Sequence, residues 1–377
     1  MSAKKRINEI DIVKAIAIIL MVAAHAGFPF SHFIYLFHMP VFFIASGFVY
    51  KSSCSQSLRS VGGFVLKKIR QLYLPFVIAN SVFVLLNNVF IDIHIYTDNP
   101  DILQYVSGPF IGTHEKTDIL TTLQAIGKGF VFMDSCEICG ALWFLGTLFW
   151  VSVAFCAADF IMRKLIKKPF GIAAAHIVTA LGFLAAGYIC SVKGVYVFGL
   201  ARAASCYCFF ALGNGLFKVK DIYQSWNWKQ FLPVFAGSFS LLLVLNRFGS
   251  VSMDNNVYTN PFFLLAAVLL GWGMLYSAAY FINKSVIKQP MLYIGKRTMP
   301  IMLLHFLAFK PMAAFIVFIY RLPVFCVAAF PTLYGDRGCW WLAYTIAGIA
   351  LPLLAYAVYR KCVGYIHNKY TFLTAKK

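Results

Sequence analysis

Residues 11–48 read DIVKAIAIILMVAAHAGFPFSHFIYLFHMPVFFIASGF, two apolar runs joined by a short turn near Gly27–Ser31. Each run is long enough to form a membrane-crossing helix, which needs about 20 apolar residues. The connection leaves room only for a tight hairpin. The hairpin also carries ionisable groups for which a simple anchor has no use. Asp11 and Lys14 open the first run, His25 sits inside it, and His38 stands at Phe37-His38-Met39-Pro40 in the second. An Asp, Lys or Arg at the centre of a span costs about 2.5–3.5 kcal/mol on insertion scales, so such groups are functional candidates.

Outward from the hairpin the same pattern repeats. The chain is 61% hydrophobic and 12% charged, against about 25% charged residues in an ordinary soluble domain. This composition predicts an integral membrane protein: one all-α, polytopic transmembrane helical bundle occupying residues 1–377. Ten candidate spans lie at roughly 9–27, 32–50, 73–91, 140–162, 170–190, 195–217, 231–247, 261–283, 299–320 and 340–359. Lys4-Lys5-Arg6 ahead of the first run resembles a secretory signal, but the ionisable residues and the many later spans favour a retained first helix.

The net charge of +20 invites a nucleic-acid reading, which the distribution of the charge excludes. With the N-terminus in the cytoplasm, the inner segments (through Lys14, then 51–70, 163–168, 218–229, 284–297 and 360–377) hold 25 of the 33 basic residues. The outer loops hold six: Lys116, Lys128, Lys193, Arg247, Arg321 and Arg337. The bias follows the positive-inside rule and places both termini in the cytoplasm of a multi-pass plasma (inner) membrane protein. The longest connection, 92–139, is expected to be an external loop. It carries seven acidic residues, and Asp118–Met133 has the pattern of a short helix. Cys136 and Cys139 lie in it as a lone Cys-x-x-Cys, able to form a local disulfide in an oxidising compartment. No second ligand pair lies nearby, so no metal site is expected.

Lys14 and His25 are eleven residues apart, three helical turns plus about 20°, so they share a face about 16 Å apart along the axis. Asp11 falls within about 40° of the same stripe. The face thus offers a cation at the cytoplasmic edge and an imidazole deeper in. The structural alternatives are a snorkelling Lys14 and a His25 that bonds a neighbouring helix. Pro40, near the start of a helix, is tolerated there and fixes how His38 is presented. Lys67 and Arg70, one turn apart, suit phosphate groups or anionic lipid. Arg202 falls within a span and needs a partner such as Asp11, Asp159 or a bound phosphate. His305 is a further candidate. Lys310, beside Pro311, reads as a snorkelling or kink-site cation. His32, His94 and His114 read as solvated surface residues, and nothing around His176 argues for chemistry.

Lys14-x10-His25 resembles the Arg/Lys-x10-His signature of the acyltransferase-3 family, as does Phe37-His38-Met39-Pro40 through Phe48. Lys67-x-x-Arg70 before Leu72-Tyr73-Leu74-Pro75 is similar to the family's Arg-x-x-Arg segment, with Lys in place of the first Arg. Leu142-Trp143-Phe144-Leu145 and Gly295-Lys296 through His305 resemble its Trp-Phe-Leu span and its late His segment. The resemblance implies transfer of an acyl group, usually acetyl from acetyl-CoA, to a hydroxyl of a cell-surface glycan or lipid-linked sugar. It places the protein beside envelope-polysaccharide machinery. His25 would then be the general base, with His38 assisting. Lys14, Lys67, Arg70 and Arg202 would bind the donor's phosphates, and Asp11, His305 and Trp143 would support the site. The competing reading is a transporter or flippase for a glycan or small anion, which would also use buried His, Lys and Arg. Such proteins are expected to show two related halves, and this sequence has no such repeat. A sensor or assembly role gives no reason for the Lys14–His25 spacing.

Overall fold

The computed structural model describes residues 7–106, 113–133, 136–195 and 199–374. The first apolar run is helix α1 (Asn8–His25). The second is broken into α2 (Ser31–Tyr35) and α3 (His38–Phe48), parted at Leu36–Phe37. Pro40 explains the break. It has no N–H to give the Leu36 carbonyl four residues back, which favours an interruption between α2 and α3. Helix α4 (Leu58–Lys68) starts at a reciprocal cap in which the Ser57 and Ser60 side chains each accept from the other's backbone N–H.

The third expected span is also in pieces: a π-helical turn at Ile69–Tyr73, then α5 (Leu74–Leu85) and α6 (Asn87–Asp92). Pro75 cannot supply the N–H that Gln71 would take in a regular α-helix, and the wider turn absorbs the mismatch. Helix α7 (Ile119–Phe130) is capped by Asp118, whose carboxylate accepts from the Thr121 N–H at 2.8 Å. The chain after α7 does not stay on the surface. Phe132 packs on Tyr73, Phe76, Phe149 and Trp150, and Tyr73 donates to the Phe130 carbonyl. The expected external loop therefore folds back in part against α5 and α8 (Trp143–Leu165), which a 3-10 turn at Glu137–Leu142 introduces.

The remaining helices are α9 (Pro169–Val192), α10 (Leu200–Lys218), α11 (Lys220–Gln224) and α12 (Trp228–Leu245). A small antiparallel hairpin, β1 (Val251–Ser252) and β2 (Val257–Tyr258), precedes α13 (Pro261–Asn283). Then come α14 (Lys288–Gly295), α15 (Thr298–Tyr320) and the long α16 (Trp340–Thr374).

The protein is an all-α integral membrane protein. Seven segments among the described residues are long and apolar enough to cross a membrane: Ser31–Phe48, Glu137–Leu165, Pro169–Val192, Trp228–Leu245, Pro261–Asn283, Thr298–Tyr320 and Trp340–Val363. Helix α1 has the length but carries Glu9, Asp11 and Lys14. The bundle has a centre and a rim. Helices α9, α12 and α16 leave most of their apolar surface exposed, as lipid-facing helices do. Helices α1, α3, α8 and α10 are largely buried. Helices α3 and α10 cross with their backbones in close approach. A Cβ at Gly47 would fall on the Phe210 carbonyl, and one at Gly213 on that of Ile44. Small residues let membrane helices meet backbone to backbone in this way.

Candidate active site

Helix α1 ends on His25, and α15 brings His305 to it from 280 residues away in sequence. His25 Nδ1 lies 3.0 Å from His305 Nε2. The two rings stack at 5.2 Å between centroids, and Phe306 covers His25 at 4.9 Å. His305 Nδ1 is 3.1 Å from the carbonyls of both Ile301 and Met302. A carbonyl can only accept, so Nδ1 of His305 carries its proton and Nε2, in the neutral ring, holds a lone pair. The His25 Nδ1–H donates to that lone pair. Proton placement along this chain leaves His25 Nε2 unprotonated and free to accept.

His38 begins α3 and is buried. Its Nδ1–H donates to the Ile34 carbonyl at 2.9 Å, which again leaves Nε2 as an acceptor. The Tyr35 ring stands between the two sites, 5.5 Å from His38 and 6.4 Å from His25. The break between α2 and α3 leaves His38 beside Tyr35, whose ring also meets His25 at the end of α1.

At the other end of α1, Lys14 forms an ion pair with Asp11 at 2.7 Å. Asp11 is buried and Lys14 half-buried. Lys67, in the last turn of α4, and Arg70, in the π turn, are both exposed. Between them Lys68 is the sheltered one, 5.3 Å from the Phe64 ring centroid. Burial, with Lys67 adding to it, pushes its ammonium pKa down to about 8.

Arg202 pairs with neither Asp11 nor Asp159. Its guanidinium lies over the Trp143 ring at 4.6 Å, with Nε donating to Thr147 Oγ1 at 2.8 Å and a terminal N–H donating to the Asp254 main-chain oxygen. It thus stands where α8 and α10 begin, whereas Lys67 and Arg70 follow the far end of α3. Asp159 instead joins Ser55 and Arg163 with His176, a histidine whose sequence surroundings give no sign of the pairing. Lys310 does not snorkel. It is buried and donates to the carbonyls of Val327, Ala328 and Ala329 at 2.9–3.3 Å. His114, expected in solvent, stacks on Tyr96 at 3.9 Å and meets Glu137 at 2.7 Å. Cys136 and Cys139 carry free thiols.

Thr147 and Asp254 were not anticipated. Thr147 was findable, since it falls one turn after Trp143 on the same helix face. Asp254 lies in a polar loop with nothing local to mark it.

The arrangement is that of a membrane-embedded helical protein with a clustered, hydrogen-bonded set of neutral imidazoles able to take a proton from a hydroxyl. The model of the acyltransferase-3 family (Acyltransferase domain) matches residues 7–360. The chain belongs to that family and is, at this level, a membrane acyltransferase. No curated protein and no solved structure matches it.

Proposed function

We infer that the protein is an O-acetyltransferase of the plasma (inner) membrane that moves acetyl from acetyl-CoA to a hydroxyl of a cell-surface glycan or lipid-linked sugar. The observation that carries the reading is the line Ile301 O, His305, His25, which leaves an acceptor nitrogen at the end of α1. A sugar hydroxyl is a weak nucleophile and needs a base, and an imidazole titrates in the range where that service is useful. The hydroxyl proton goes to His25 Nε2 as the sugar oxygen bonds the acetyl carbon. The C–S bond then breaks, and the CoA sulfur leaves with the proton His25 returns. His38 offers a lone pair rather than a donor, which suits orienting the acceptor hydroxyl more than stabilising the oxyanion.

For the donor, Lys67 and Arg70 are exposed cations with charge to offer phosphates. Lys14 already neutralises Asp11, so its part is to steer the donor past the start of α1. Reading α1, 31–48, 69–92, α8, α9, α10, α12, α13, α15 and α16 as ten crossings puts both termini in the cytoplasm, with Lys67 and Arg70 on the side where CoA is found. The acceptor then approaches from the outer face.

The test uses the full chain in lipid nanodiscs with radiolabelled acetyl-CoA and membrane glycolipid extract from a deletion strain. Wild type should label a glycan. His25→Ala should lose about 10²-fold or more in rate while inserting normally. Transfer by that variant at the wild-type rate rules His25 out as the base.

A further inference from the structure

Beside the histidines stands a second polar cluster that the proton-transfer chemistry does not use. Trp143 and Thr147, one turn apart on α8, both meet Arg202 in the first turn of α10. Arg202 in turn ties down the hairpin that follows α12 by bonding the main-chain oxygen of Asp254. Asp254 sits between β1 and β2, exposed. Its carboxylate accepts from Ser252 Oγ at 2.6 Å and Asn255 Nδ2 at 3.1 Å. The cluster is packed on α3, the helix that His38 begins: the ring of Phe144, next to Trp143, meets those of Phe42 and Phe43 at 5.6 and 5.0 Å.

Two features of this geometry matter. An ionised carboxylate has about four lone-pair sites, and neighbouring side chains use one on each oxygen. The guanidinium spends its bonds on a hydroxyl and a main-chain oxygen, and the Arg202 and Asp254 side chains form no ion pair. An acid and a base held side by side, each with bonding capacity left, match a ligand that both donates and accepts. A diol does both. A ligand bearing its own carboxylate or phosphate would be drawn by Arg202 but repelled by Asp254, with no net gain.

We propose that Asp254, with Arg202 beside it, reads the acceptor: the carboxylate takes hydrogen bonds from a vicinal hydroxyl pair of a neutral pyranose, and the guanidinium donates to an oxygen of the same sugar. A further hydroxyl of that ring is thereby presented to His38 and His25. This assignment rests on the reading of the site as a sugar O-acetyltransferase.

The test uses the full chain in nanodiscs, acetyl-CoA as donor, and three probes: p-nitrophenyl β-D-glucopyranoside, the matching β-D-galactopyranoside and the β-D-glucuronide. Wild type should acetylate at least one neutral glycoside in preference to the glucuronide. Asp254→Asn should raise the KM for that glycoside tenfold or more, move the KM for acetyl-CoA less than twofold, and narrow the gap to the glucuronide. Arg202 holds the main-chain oxygen of residue 254, so this substitution leaves the hairpin attached. An unchanged acceptor KM, or an equal rise in both KM values, overturns the assignment. Preference of the wild type for the glucuronide overturns it as well. Hydrolysis of acetyl-CoA without transfer to any neutral glycoside overturns the sugar class but leaves an acyltransferase. Absence of both hydrolysis and transfer defeats the underlying reading itself.

Discussion

At the residue scale the protein turns on where protons sit. His305 has two carbonyls at one nitrogen and His25 at the other, so its work is to fix the tautomer and orientation of His25. Removing such an orienting partner from a metal-ligating histidine costs about 10–100-fold, and a loss of the same order is expected here. His305→Leu should lower kcat by that order with little change in KM for acetyl-CoA. His305→Gln keeps an oxygen that can accept from the His25 Nδ1–H and should recover part of the loss. In the His25→Ala background either change should add almost nothing, because the two residues act as a unit. Initial rates of the three single and two double variants decide the point.

Lys68 gives a second residue-scale expectation. Its pKa is depressed in the folded protein to about 8, from an ordinary lysine value of 10.5. Below pH 8 the folded state holds a charge that burial penalises. Between about 8 and 10.5 the folded form sheds its proton before the unfolded form does, so stability from this group rises with pH across that window. Lys68→Met should therefore raise the thermal midpoint at pH 7, and the advantage should shrink toward pH 10. A difference that is flat with pH, measured by differential scanning fluorimetry in detergent, would show that Lys68 is not responsible.

At the element scale, two contacts fix how helices present the site. Gly295, at the end of α14, lies against the backbone of α1 at Asp11, where a Cβ would collide with the Asp11 carbonyl. Gly295→Ala should push the start of α1 aside and destabilise by about 1–3 kcal/mol, as overpacked contacts do. A lowered thermal midpoint together with a raised KM for acetyl-CoA would report both effects. The break at Leu36–Phe37 was partly legible, since Pro40 announces that a helix begins close by. That it would split the second run was not read, because the apolar run continues unbroken through it. The π turn before Pro75 was missed for the same reason. Hydropathy registers side chains and is blind to a missing N–H.

At the scale of the whole molecule, helices were easy to read and their meetings were not. The apolar runs placed α8, α9, α13 and α15 within a few residues, because lipid imposes length and composition on each helix separately. The pairing of His25 with His305 joins positions 280 residues apart, and helical periodicity reveals only which face a residue occupies. Arg202 shows the same limit. Burial required a partner, and the carboxylates legible in the sequence were Asp11 and Asp159, whereas the fold supplies a ring, a hydroxyl and a main-chain oxygen. The ten-crossing topology is open to a direct check with native thiols. Cys339 and Cys362 are both exposed, Cys339 just before the membrane-length part of α16 and Cys362 at its far end. A membrane-impermeant maleimide should reach Cys339 in intact cells and Cys362 only after permeabilisation. The reverse pattern would invert the orientation and the proposed entry sides with it.

The division into centre and rim also bears on how the sequence can drift. Along α9, α12 and α16 the neighbours are lipid tails, which adapt to any shape, so Leu, Ile, Val and Phe should exchange there almost freely. Along the seam where Gly47 meets Phe210 and Gly213 meets Ile44, even one added methyl has nowhere to go. A saturation-mutagenesis survey scored by surviving activity should therefore draw a permissive shell around an intolerant spine, with the spine running beside the histidines.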